Sequence, residues 1–292
     1  METAIEIVNV LLPVYFIVMC GFFYTKISPT DMTIVNKLNM NFFVPALIFS
    51  VMTEKDFYIG EYVGVLFSGV FIVLFSGVLA LAVARILRVQ WRTFIPPMMF
   101  NNIGNLGVPV MVLAFGEQAL PIAIVLFMVE NLLHFTVGIQ MVNPHPSLVR
   151  LLKNPIVSAS LLGMFFSLNG WHMPASAQIS LDMVGQISIP LMLFSLGVRV
   201  SNVDFSHWRI GVLGGLMSPV SGLIATMPII FLFDLDKVSI GVLLIFASLP
   251  PAIMNYMVAE VFLQEPQKVA SIVMIGNLLS VLVLPLVLLF VL

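Results

Sequence analysis

Ten stretches of this chain run for about twenty residues with almost no charge, close to the length a helix needs to cross a bilayer. They cover residues 5–24, 35–53, 62–87, 94–114, 119–140, 155–170, 179–199, 208–233, 238–262 and 267–292. The runs are continuously apolar rather than alternating, so helices are expected and a barrel is not. Composition agrees: 60% of the 292 residues are hydrophobic and 9% are charged, against about 25% charged in soluble domains. A soluble enzyme, a disordered chain and a nucleic-acid binder with a basic surface are excluded, the net charge being −2. The expectation is an all-α polytopic membrane protein with ten transmembrane helices. The first run has no positive flank of the signal-peptide kind and is read as a true span. The single cysteine, Cys20, allows no intramolecular disulfide.

Ten spans place the loops alternately on two sides. The odd-numbered loops and their flanks hold ten of the twelve Lys and Arg residues, leaving only Lys55 and Lys237 for the even ones. By the positive-inside rule the odd loops are cytoplasmic and both termini lie outside. The inner (plasma) membrane is the expected location.

The chain also resembles itself. Val44-Pro45-Ala46-Leu47-Ile48-Phe49-Ser50 in span two matches Ile189-Pro190-Leu191-Met192-Leu193-Phe194-Ser195 in span seven. Glu130-Asn131-Leu132-Leu133 in span five matches Gly276-Asn277-Leu278-Leu279 in span ten at nearly the same offset. Two halves of five spans follow, residues 1–145 and 146–292. An odd number of spans per half inserts the second half inverted, a recurrent plan of secondary transporters with sites at the midplane.

Spans four and nine, paired by that offset, are poor helices. Span four carries Asn101, Asn102, Gly104, Asn105, Gly107 and Pro109, and span nine carries Pro250, Pro251 and Asn255. Such residues leave backbone groups unpaired in hydrocarbon unless protein or water satisfies them. Breaks here are expected to line a cavity. Half-helix N-termini suit an anion, and half-helix carbonyls suit a cation. Ser50 and Ser195, one turn beyond the paired prolines, are candidates to line the substrate path.

The stretch from Asn101 to Pro109 with Val110-Met111, and Leu249-Pro250-Pro251-Ala252 through Asn255, are similar to the auxin efflux carrier family. That group includes plant auxin efflux carriers and bacterial malonate or malate transporter-like members. The resemblance implies two inverted five-helix repeats whose broken helices four and nine cross. It implies a scaffold of spans one, two, six and seven, and a transport domain of spans three to five and eight to ten that moves like an elevator. It places the substrate carboxylate near Asn105, Val108, Pro109, Pro251 and Asn255, and it implies a homodimer through the scaffold. The long cytoplasmic loop of many plant members is absent, and span two holds Asn36, Asn39 and Asn41 where an acid would stand out.

Ionisable residues at membrane depth are functional candidates because they are costly there. Glu130 and His134 are four residues apart on one helix face, with Asn131 beside them and Asn277 as the repeat counterpart. A desolvated carboxylic acid and a neighbouring imidazole can share a proton. Glu260 follows the second break. These five form the candidate proton- or ion-coupling set. No spacing suggests a metal site and nothing points to a cofactor. The expected function is a secondary transporter for a small organic anion, with protons or sodium as possible coupling ions. The alternative is a cation/proton antiporter or sodium-coupled symporter of the same fold; a passive channel is a further one. No H-E-x-x-H, G-x-S-x-G or P-loop motif supports an enzyme or an ATP-driven pump.

Overall fold

The computed structural model describes residues 2–143, 152–201 and 206–292. The expected division of the halves at 145/146 lies outside the described residues. Those residues form helices, with no strand beyond one isolated bridge. In chain order these are α1 (Glu2–Ile27), α2 (Thr33–Met52), α3 (Ile59–Ile86), α4 (Trp91–Met99), α5 (Val108–Phe115) and α6 (Ala119–Val142). Then come α7 (Pro155–Leu168), α8 (Ala175–Val200), α9 (Trp208–Leu232), α10 (Lys237–Ser248), α11 (Ile253–Val261) and α12 (Pro266–Val291).

Among the described residues, seven of these helices are long and apolar enough to cross a membrane: α1, α2, α3, α6, α8, α9 and α12. The other three expected spans differ from expectation for visible reasons. Spans four and nine are each split in two, as α4 with α5 and as α10 with α11. Span six is shorter than expected, a 14-residue helix started by Asn154, whose side chain accepts from the backbone N–H groups of Ile156 and Val157. The helices carry large apolar side chains outward, among them Phe16, Ile27, Phe231 and Phe290. That surface is stable only in lipid, and the protein is an integral membrane protein.

Three π-helical turns interrupt the described helices, at Asn39–Phe43, Ile103–Gly107 and His134–Gly138. The first two stand directly before Val44-Pro45 and Val108-Pro109. A proline has no N–H to continue the ladder, and the valine N–H reaches back five residues instead, to Asn39 and Ile103. In α8 the helix is interrupted at Ile187, where the Pro190 ring crowds the carbonyl of the preceding turn.

Packing divides the helices into two sets. α1 runs along the second part of α8, while α7 and the first part of α8 pack on the Val44–Met52 part of α2. α9 packs on α12 and α3, and α3 also packs on α4 and α6. Where α1 meets α8 the backbones touch: Gly21 lies on the Phe194 carbonyl and Gly197 on the Val18 carbonyl, with no room for a Cβ at either. Small residues permit such approach in membranes, where packing rather than hydrophobicity drives helix association.

Candidate functional site

The two broken segments meet. Asn101 and Pro251 form an antiparallel bridge, in which the Asn102 N–H donates to the Pro250 carbonyl at 2.7 Å and the Ala252 N–H to the Phe100 carbonyl at 2.9 Å. Each unwound stretch thereby supplies the partners the other lost by leaving the helix, which is what hydrocarbon demands. Side chains reinforce the pairing. Asn255 Nδ2 donates to the Phe100 carbonyl at 2.8 Å, and Asn101 Nδ2 to the Phe246 carbonyl at 2.8 Å. The Phe100 carbonyl is therefore held twice by the second break, by the Ala252 N–H and by the Asn255 amide.

A chain of amides runs on from the break. Asn105 Nδ2 donates to Asn102 Oδ1 (3.0 Å), Asn102 Nδ2 to Asn277 Oδ1 (2.7 Å), and Asn277 Nδ2 to the carbonyls of Pro251 (3.1 Å) and Val273 (2.8 Å). Because the terminal acceptors are carbonyls, which can only accept, every amide orientation in the chain is determined.

Beside this junction lies a cavity of about 500 Å³. Of the expected residues it is lined by Asn101, Asn102, Asn105, Glu130, Asn131, His134 and Ser195. All three π turns contribute to its wall, through Asn39, Met40 and Asn41, through Ile103, Gly104 and Asn105, and through His134 and Phe135. π turns recur at functional sites because they re-aim side chains without ending the helix. The rim is formed by Thr33, Asn36 and Lys37 at the start of α2, Asn154 before α7, and Arg199 at the end of α8. Those ends all adjoin odd-numbered loops.

Glu130 and His134 are 4% and 5% exposed. They are not hydrogen-bonded to each other: His134 stacks on the Phe100 ring at 4.3 Å between centroids, and one Glu130 oxygen, Oε2, has no partner. Asn131 donates to the Phe127 carbonyl of its own helix at 2.7 Å.

The structure places other expected residues outside the cavity wall. Val108 and Pro109 are in the first turn of α5, behind the π turn, and Pro250 and Pro251 are engaged in the bridge. Asn255 is buried behind its bond to Phe100, and Asn277 lies within the amide chain. Ser50 is 1% exposed at the far end of α2, bonded to Asp182 and to Gln178 of α8. Glu260 is exposed and accepts from the Tyr256 hydroxyl at 3.0 Å. Sequence reasoning missed Arg199 and Lys37, which it counted only among the basic residues of the odd-numbered loops and their flanks. The available signal was spacing: Met192, Ser195 and Arg199 stand three and four residues apart, one stripe of a helix.

The family described as "Membrane transport protein" matches residues 6–147 and 145–288. The chain belongs to this family, the auxin efflux carrier group. Within it, a Rhizobium meliloti (strain 1021) protein named "Putative malonate transporter" is 24% identical over 306 residues, covering 94% of this chain and 93% of that one. An uncharacterized transporter of Methanocaldococcus jannaschii is 26% identical over 203 residues, or 64% of each chain. The conclusion at this level is membrane transport.

Proposed function

We propose that this member of the membrane transport protein family is a secondary transporter for a small organic anion, a carboxylate first of all, working by elevator-type alternating access. The observation that carries the reading is the asparagine-lined cavity beside the paired breaks, reached from the face of the odd loops. In this reading the breaks belong to crossed helices four and nine of two inverted five-helix repeats. The meeting of the two matched stretches at 145–147 supports that division. The packing sets described above support a scaffold of spans one, two, six and seven beside a transport domain of the rest. The name of the Rhizobium relative supports a carboxylate. The protein sits in the cell's inner membrane with both termini outside, as the basic-residue bias favours, and pairs through its scaffold.

Thermal unfolding of the purified protein against malonate and a panel of other small carboxylates, with and without sodium at two pH values, tests this. A ligand that binds the native state raises apparent stability by mass action. A carboxylate-specific rise that disappears in Asn105→Ala is expected. A rise with sodium or pH alone overturns it in favour of the second reading, a cation/proton antiporter or sodium-coupled symporter. The unpartnered Glu130 oxygen favours that alternative.

A further inference from the structure

The geometry points to a carboxylate-binding subsite on α8, made by Arg199 and Ser195, that reads the substrate's charge at the odd-loop face of the cavity. This deepens the transport reading above and rests on it. Arg199 is half-buried in the last turn of α8 and lines the cavity. Its electrostatic neighbour is the Tyr256 hydroxyl, and among the described residues the one ion pair is elsewhere, between Lys268 and Glu265. A half-buried guanidinium with no acid in ion-pair reach among the described residues is costly, and such groups pair or serve a ligand.

Ser195 lies one turn earlier on the same face. Its hydroxyl is buried and without a partner, though it too belongs to the cavity wall. A planar fork of donors with a hydroxyl alongside matches a carboxylate, which accepts from both. Lys37 on the facing rim adds a second positive charge.

The asparagines of the break are less suited to that task. The Asn102 amide donates to Asn277 and the Asn105 amide to Asn102. Those donors are already engaged with each other, and the stretch from Phe100 to Asn105 carries no positive charge. Full charge therefore meets full charge at α8, while the asparagines fit the uncharged remainder of the substrate.

A consequence separates this subsite from a crossover site. α8 packs with α1 and α2, members of the set read as the stationary scaffold. A carboxylate held there must leave Arg199 when the other set moves, so the arginine strengthens binding from one face only.

The test is counterflow of labelled malonate in proteoliposomes of defined orientation, with half-saturation measured separately from each face. Arg199→Gln is expected to raise half-saturation about tenfold or more on the odd-loop face, the range of a charge-assisted hydrogen bond, and to leave the other face unchanged. An equal rise on both faces, or none, overturns the subsite. Should Arg199→Gln fail to assemble, Ser195→Cys in a Cys20→Ser background decides. Saturating malonate is expected to slow its alkylation from the odd-loop face about fivefold, consistent with occlusion of a bound site, and an unslowed rate overturns the proposal. A wild type that exchanges no carboxylate overturns the transport reading and the subsite together. A wild type that exchanges malonate beside an indifferent Arg199→Gln overturns the subsite alone.

Discussion

The two breaks occupy matching places in the chain and do opposite chemistry. The first, at Phe100–Asn102, supplies donors: the Asn102 N–H to Pro250 and the Asn101 amide to Phe246. The second supplies carbonyls, since Pro250 and Pro251 have no N–H to give and their oxygens accept from Asn102 and Asn277. Its donors come only where the prolines end, from Ala252 and the Asn255 side chain. The difference teaches that a helix can be opened inside a membrane if a second opening complements it. It also separates duties: the first break lends the cavity its amides, Asn101, Asn102 and Asn105, while the second adds apolar wall through Ala252, Ile253 and Met254 and holds the first in place.

That division can be broken, most forcefully by restoring donors to the second break. Pro250→Ala combined with Pro251→Ala lets α10 continue toward α11, and transport is expected to fall to the level of empty vesicles in a counterflow assay. Retained transport would mean the second break is dispensable. Next comes a contrast of two asparagines. Asn255→Ala removes donors from two buried carbonyls and should cost about 1–3 kcal/mol in stability, read as a lower melting temperature. Asn105→Ala should leave melting unchanged and lower counterflow about tenfold, the upper end for one lost hydrogen bond to an uncharged group. The same outcome for both would erase the distinction between a holding and a facing residue. Glu130→Gln sharpens it further: uptake measured across pH should lose its dependence on pH while the first break stays intact, and an unaltered profile returns Glu130 to structure.

The smallest effect concerns the helices that lead into the breaks. α10 is capped by Asp236, which accepts from the Ser239 N–H at 2.9 Å and its hydroxyl at 2.6 Å, whereas Gln90 before α4 makes no such side-chain bond. Partial burial pushes the Asp236 carboxyl up, but its hydrogen bonds together hold it below its ordinary value of 3.8. A lowered folded value means that the stabilisation is present above pH 3.8 and fades as pH falls through the folded value. Asp236→Ala should cost about 1 kcal/mol near neutral pH and remove that part of the acid dependence.

Much of this was legible in residues. The apolar runs and the Asn-rich and Pro-Pro stretches pointed to helices and to where two of them would open, because backbone pairing in hydrocarbon leaves few alternatives. Glu130 and His134 were legible as a shared face but not as separated groups, since whether Phe100 stacks between helices is a tertiary matter. Ser195 and Ser50 looked equivalent by position in the repeat. One lines the cavity and the other is bonded to Asp182, which depends on which end of the packed set is closed. Arg199 escaped notice because its charge at a span end reads as interfacial, and only packing brings that end over a cavity.

The π turns carry one more implication. Each holds one residue more than an α turn, and losing that residue would restore the plain α ladder and re-aim the side chains of the turn alone. Three such turns surround one cavity. A relative could thus acquire a different wall, and a different cargo, by losing a single residue while every helix and every pairing of the breaks stayed where it was.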